Sequence, residues 1–135
     1  MSSRRGISTV LQSDTIRMPT PLTTAYSVPP GTRIVFFSGL TAKDSDSQTV
    51  AKGDATGQTE HILNAIDETL RQAGGSLDDV IKLTIYLQKR EDAPAVGQVR
   101  ARRFVTGPPP ASTMIIAQLM SDDQLVEIEA VAALS

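Results

Sequence analysis

Glu127 and Glu129 are the residues whose type and spacing are best suited to chemistry in this sequence. They belong to the closing segment VEIEAVAAL, whose alternation predicts a strand with an apolar face made of Val126, Ile128, Ala130, Ala132 and Leu134. At roughly 3.3 Å of rise per residue, the two glutamates lie about 7 Å apart on the other face. That spacing permits a pair of carboxylates at one site, and two solvated acids on a sheet face are the alternative. If one of them is enclosed, we expect Glu127, because it lies nearer the middle of the segment.

Other candidate residues give weaker signals. Ser38 and Gly39 end a predicted strand, where a glycine lets a ligand approach backbone N–H groups and the hydroxyl can donate; a plain turn is the alternative. His61 is more typical of a surface helix histidine than of a catalytic base. Tyr26 and Tyr86 are the only tyrosines, and such residues more often pack than react. The sequence contains no P-loop, GxGxxG, HExxH or GxSxG motif.

Composition excludes several classes of function. The chain has 13 basic and 15 acidic residues, a net charge of -2, 4% aromatic residues and no Trp, which argues against nucleic acid as a partner. It has no Cys and one His, so disulfides, thiolate nucleophiles, Cys-based metal sites and sites with two imidazoles are excluded. No segment approaches the length and apolarity of a membrane span or a signal peptide, and we expect a soluble, cytoplasmic protein.

The 135 residues suit a single domain, 1–135, whose residues 1–23 form an irregular N-terminal extension with a short strand at 7–10. Residues 33–38 are apolar on both faces and predict a central strand. Helical spacing over 54–73 predicts a helix capped by Asp54 or Thr56 and stopped at Gly74 and Gly75. A half-buried strand follows at 80–87, with Ile81 on its apolar face.

A second, weaker helix is expected from Asp92, as its cap, through about Val105, with Arg100, Arg102 and Arg103 on a solvated edge. Strands at 113–117 and at the C-terminus complete the pattern. The order predicts an α+β fold, a mixed β-sheet with two helices packed on one face. Because two helices cover one side only, the other side, with its polar and apolar residues, is expected to be buried against other subunits.

Several segments in order resemble the Rid family, the reactive intermediate deaminases also called YjgF-type proteins. TAYS at 24–27 resembles the family's GPYS, and TRIVFFSG at 32–39 resembles its strand ending in Ser-Gly. The segment QTEHILNAIDETLRQAGGSLDDVIKLTIYL is similar to its helix, glycine break and Asp-Val-Val-Lys strand. LVEIEAVA matches its Ile-Glu-Ile-Glu-Ala closing strand.

The resemblance implies a chorismate-mutase-like fold and a homotrimer with three clefts between subunits. Its deaminase branch hydrolyses enamines and imines to a carbonyl compound and ammonia without metal or cofactor. By position, Glu127 matches the glutamate that holds the water, Tyr26 the cleft tyrosine, and Ser38 and Gly39 the strand end that contacts the ligand.

One departure from the family concerns substrate binding. The deaminase branch carries Pro-Ala-Arg-Ser, whose arginine clamps the substrate carboxylate fifteen residues before the glutamate; here that position is Ser112, within PAST. Arg33, Arg103 or a neighbouring subunit could fill the gap. The first function that follows is an imine or enamine hydrolase, with Glu127 as catalytic residue and with a small metabolite bound by Tyr26, Ser38, Gly39 and Ser112. The second is a non-catalytic binding or regulatory trimer. The third is an endoribonuclease, against which the acidic composition argues.

Overall fold

Two β-sheets and two α-helices make up the part of the chain that the computed structural model describes, residues 3–4, 8–19 and 22–135. The strands are β1 (Ser3–Arg4), β2 (Ser8–Leu11), β3 (Ala25–Ser27), β4 (Arg33–Phe36), β5 (Leu40–Thr41), β6 (Val80–Leu87), β7 (Ala111–Ile116) and β8 (Val126–Leu134). The helices are α1 (Ala55–Gln72) and α2 (Ala93–Arg103). The predicted first strand overlaps β2, but its first residue, Ile7, lies outside the described residues. Among the described residues, no helix has the length and apolarity needed to cross a membrane.

The predicted long helix is confirmed as α1. The Asp54 carboxylate accepts a hydrogen bond from the Gly57 amide at 2.9 Å, which satisfies one of the free N–H groups at the helix start. Gly74, with φ of 82°, turns the chain out of the helix, and the Gly75 amide returns to the Leu70 carbonyl at 2.9 Å. The buried face of α1 carries its apolar stripe, Ile62, Leu63, Ile66 and Leu70.

The larger sheet has the strand order β4-β8-β6-β7, with β5 also paired to β8. β8 is antiparallel to β4, β5 and β6, whereas β6 and β7 are parallel, so the sheet is mixed as predicted. The predicted central position of the strand at 33–38 is wrong, because β4 lies at an edge of this sheet. β8 and β6 hold the interior positions, since strands pair along both sides of each. The second apolar face of β4 is left open, and Phe36 is 78% exposed.

Both helices pack on one face of this sheet. Val126, Ile128, Ala130, Ala132 and Leu134 are all buried, as the alternation of β8 predicted. The alternation predicted for β6 is wrong at its start, because a register shift between Val80 and Lys82 moves Ile81 out of phase. Val80 is fully buried instead, and Ile81 is half-buried.

The second helix ends at Arg103, two residues before the predicted end. The prediction of Asp92 as its cap is wrong: Asp92 has helical backbone angles, and its side chain makes no capping hydrogen bond. The helix begins directly from a short 3₁₀ turn at Arg90–Asp92, so its first residues need no separate cap there. Val96 and Val99 are its buried residues.

The smaller sheet, β1-β2-β3, joins the larger one at the β7 edge. An isolated parallel bridge pairs Thr23 with Ala111, the first residue of β7. The Tyr26 hydroxyl on β3 donates to the carbonyls of Pro108 and Pro109 at 3.1 and 2.9 Å. These contacts hold the proline-rich loop that leads into β7 against the N-terminal segment.

Candidate functional site

Glu127 and Gly39 lie in contact on the face of the sheet that carries no helix. Glu127 of β8 is half-buried, and its neighbour across the sheet is Thr41 of β5. A Cβ at position 39 would overlap the Glu127 Oε2 atom and would lie 3.0 Å from its Cδ. Only glycine therefore fits there while the carboxylate keeps this position. Gly39, at the end of the predicted strand, therefore lies directly against the Glu127 side chain in this chain.

Ser38 and Gly39 form the exposed connection between β4 and β5, both of which pair with β8. This pairing explains why a strand end distant in sequence reaches Glu127. Among the described residues, no hydrogen bond or ion pair engages the Glu127 carboxylate. We refer to Ser38, Gly39 and Glu127 as the Glu127 group.

Glu129 lies on the same face as Glu127, but its carboxylate is already engaged. The Tyr86 hydroxyl donates a short hydrogen bond to Glu129 Oε1 from the neighbouring strand β6. This hydrogen bond, together with partial desolvation and the negative charges of Glu129 and Glu127, raises the pKa of Tyr86 above its ordinary value. The two glutamates are therefore not equivalent, because Glu129 accepts a hydrogen bond from a tyrosine, whereas Glu127 accepts none from the described residues and lies against Gly39. Sequence reasoning left Tyr86 as packing; the signal available was its shared face with both glutamates.

Ser112 lies on the opposite face of the sheet, toward the helices. It pairs in register with Leu83, which is buried in the core under the helices. The Arg100 Nη1 atom donates to Ser112 Oγ at 2.9 Å from helix α2. The solvated edge predicted for Arg100 is therefore wrong, because the side chain turns inward to β7.

The two other arginines of α2 behave differently. Arg102 and Arg103 both reach Glu60 of α1, at 3.4 and 3.0 Å. Arg103 also donates to the Asn64 side-chain oxygen at 2.8 Å. Arg103 is thereby held between the two helices, and Arg100 is the arginine that reaches position 112.

Tyr26 contacts the loop that leads to Ser112. Its hydroxyl donates to the loop carbonyls of Pro108 and Pro109, only a few residues before Ser112. We refer to Tyr26, Arg100 and Ser112 as the Ser112 group.

Within one chain the Glu127 group and the Ser112 group do not form a single site. Ser112 of β7 is in register with Leu83 of β6, which is in register with Ala130 of β8. Glu127 lies three residues before Ala130 on β8. Ser112 and Glu127 are therefore separated by two strand spacings and three residues of rise. With strands about 4.8 Å apart and a rise of about 3.3 Å per residue, their Cα atoms are roughly 14 Å apart, and their side chains point to opposite faces. Sites that need both groups require a second copy of the chain.

Two surface depressions of the chain include neither group. One is lined by residues of the N-terminal segment, among them Gln12, Arg17 and Thr24. The other is lined by Lys43, His61 and Glu68 with their neighbours. His61 Nε2 lies 2.7 Å from the Lys43 carbonyl oxygen. Because a carbonyl only accepts, this nitrogen carries the proton, and the histidine fastens a loop to α1.

Comparison with known proteins gives consistent results. A family model described as endoribonuclease L-PSP matches residues 19–134. The 3-aminoacrylate deaminase RutC of Acinetobacter baylyi is 38% identical over 114 residues, which cover 84% of this chain and 90% of that protein. A RutC family protein of Pyrococcus horikoshii is 36% identical over 98 residues, covering 73% of this chain and 77% of that protein.

Solved structures show the same likeness. A Yersinia pestis protein, YyfB, described as a protein of unknown function of the conserved Rid family, superposes with a TM-score of 0.82 at 27% identity. The alignment covers 94% of this chain and 98% of that one. A second Yersinia pestis protein of the same description, YyfA, gives a TM-score of 0.70 at 26% identity, covering 94% and 99%.

Proposed function

The chain belongs to the Rid (YjgF-type) family, and on this premise we propose that it hydrolyses a small imine or enamine to a carbonyl compound and ammonia. The observation that carries the proposal is the Glu127 carboxylate, half-buried against Gly39 and unengaged among the described residues. A base of this kind can accept a proton from water. The deaminase name of the RutC relative points to aminoacrylates as the first substrates to test.

The chemistry needs one base and no redox change. An enamine first tautomerises to the imine, whose carbon is electrophilic. Glu127 holds a water, accepts one of its protons as the oxygen bonds to that carbon, and returns the proton to nitrogen. The hydroxyl proton of the resulting carbinolamine then passes to its nitrogen as the C–N bond breaks, so that the carbonyl forms and ammonia leaves. Backbone and hydroxyl groups at Ser38 and Gly39 hold polar atoms of the substrate.

A homotrimer would bring the two groups of residues together. The face of the sheet opposite the helices exposes Phe36 at 78% and Ile115 at 44%, around the polar Glu127 and Glu129. Such a surface of mixed character is more typical of an interface than of a free surface. In a closed ring, the Glu127 group of one subunit would face the Ser112 group of the next, and three clefts would result.

The direct test generates 2-aminoacrylate from serine with a dehydratase, or 3-aminoacrylate by the corresponding route, and follows ammonia release. Loss of a general base costs about 10²- to 10⁴-fold, so Glu127→Gln should lose turnover by at least the lower figure. Glu129→Gln serves as a matched variant, with a smaller loss expected because Tyr86 occupies that carboxylate. Turnover by Glu127→Gln at the wild-type rate refutes the mechanism.

A non-catalytic binding trimer is the second candidate, and the serine at position 112 favours it. Without the family arginine, the cleft could retain a ligand and lack the chemistry. Ligand retained on purification, with no imine or enamine turned over by wild type, would support this function. Appearance of activity in Ser112→Arg would show that the rest of the cleft is intact.

A further inference from the structure

Arg100 is a partly buried cation whose partner in the described chain is neutral. Its Nη1 atom donates to the Ser112 hydroxyl at 2.9 Å, and its Nε atom is enclosed without a hydrogen-bond partner. Among the described residues no carboxylate pairs with it, whereas Arg102 and Arg103 of the same helix share Glu60. Burial of an uncompensated charge opposes folding, so an anionic partner would stabilise this arrangement.

The electrostatics of Arg100 agree with its contacts. Burial lowers the pKa of its guanidinium, and a guanidinium nevertheless remains charged at physiological pH. A depressed pKa for a base means that the charged form is destabilised by the fold. An anion beside the guanidinium of Arg100 would reduce that penalty.

The position of the guanidinium connects it with the proposed site. Ser112 stands where the resembling family carries its carboxylate-binding arginine, at the start of the edge strand β7. The hydroxyl of Ser112 holds the end of the Arg100 side chain at this position, next to the loop that Tyr26 fastens. A cation is therefore present near position 112 through space, although none stands there in sequence.

We infer that Arg100, held by Ser112 as a positioning residue, binds the carboxylate of the substrate. The substrate class is then a carboxylate-bearing imine or enamine rather than a neutral one. This inference rests on the proposed function for the location of the cleft. It assigns the anion-binding role to a helix residue in place of Ser112, Arg33 or Arg103.

Binding is measured without turnover, so that failure of the chemistry and failure of this inference can be told apart. Pyruvate and its uncharged methyl ester are titrated by NMR into wild type, Arg100→Gln, Arg100→Lys and the matched control Arg102→Gln. A charge-assisted hydrogen bond corresponds to about 10- to 100-fold in affinity. We expect Arg100→Gln to weaken pyruvate binding by at least about tenfold, Arg100→Lys to be intermediate, and Arg102→Gln to match wild type.

The ester separates recognition of charge from general damage to the cleft. Its affinity should be the same in wild type and in Arg100→Gln. Equal pyruvate affinity in those two proteins, or wild type that binds pyruvate no better than the ester, overturns the inference. The comparison of pyruvate with its ester uses wild type alone, so it tests the inference even if the Arg100 variants fail to fold.

Turnover data supply a separate readout for Ser112. Ser112→Ala should raise KM for aminoacrylate with little change in kcat, and Ser112→Thr should restore KM by keeping the hydroxyl. A fall in kcat with unchanged KM contradicts the positioning role. If wild type turns over no aminoacrylate yet binds pyruvate through Arg100, the hydrolase proposal fails and the assignment of Arg100 stands.

Discussion

Gly39→Ala tests whether the carboxylate position seen here is the active one. An alanine Cβ would overlap Glu127 Oε2 and lie 3.0 Å from Cδ, against an ordinary separation of about 3.5 to 4.0 Å. The carboxylate is the end of a flexible side chain on an open face, so it moves and the backbone stays. The displacement needed is about 1 Å. A misplacement of that size at a reacting group corresponds to about 10²-fold in rate, or about 2.7 kcal/mol in the activation barrier.

Stability should be almost unchanged in this variant. Gly39 is exposed, and its φ is not in the left-handed region, so alanine adopts its backbone without strain. We expect the free energy of unfolding in urea to stay within about 0.5 kcal/mol of wild type, while kcat for aminoacrylate falls by about 10²-fold. Gly39→Ala should have little further effect in a Glu127→Gln background, because both changes act on one carboxylate. Full activity in Gly39→Ala would refute the assignment of this carboxylate position to catalysis.

Three further predictions concern the scaffold and the assembly. Gln58→Leu should lower the free energy of unfolding by about 1 to 3 kcal/mol. The fully buried Gln58 accepts a hydrogen bond from the Leu125 amide at 2.8 Å, and in the variant that amide would lose its partner. A denaturant midpoint equal to that of wild type would contradict it. Although burial by itself raises the pKa of Asp67, hydrogen bonds from Arg71 and from a backbone amide lower it below 3.8 overall. The ionised form is therefore the one the fold favours, and this contribution is present above pH 3.8 and lost as the pH falls through the folded-state value. Asp67→Asn should reduce stability at neutral pH by about 1 kcal/mol and flatten the acid limb of the stability curve; an unchanged acid limb would show that the carboxylate does not contribute. Phe36→Asp should dissociate the proposed trimer without unfolding the monomer, since Phe36 is already 78% exposed in one chain. Light scattering that still returns a trimer would place the interface elsewhere.

Local patterns in the sequence sufficed for the long helix and for the buried face of the last strand. The helix at Ala55–Gln72 followed from its apolar spacing, the Asp54 cap and the Gly74 stop, all of which act within a few residues. The buried face of β8 followed from alternation alone. Two of the errors fell where the deciding contact is distant in sequence. The edge position of β4 and the phase of Ile81 depend on which strand lies beside which, and no local pattern encodes that.

The same division holds at the candidate site. The type and spacing of residues in the sequence singled out Glu127 and Gly39, and its resemblance to the family drew attention to Ser112. Tertiary structure decided the partners of these residues. It placed Gly39 against Glu127 by pairing β5 with β8 and tied Glu129 to Tyr86.

Arg100 is the clearest case of a role that only the fold could assign. Arg100, Arg102 and Arg103 lie close together in sequence, and charge alone predicts a solvated edge for all three. In the folded chain the Arg100 guanidinium reaches Ser112 of β7. Propensity and alternation act over neighbouring residues and specify helices, strands and their buried faces. The placing of a cation beside a hydroxyl twelve residues away depends on how those elements pack.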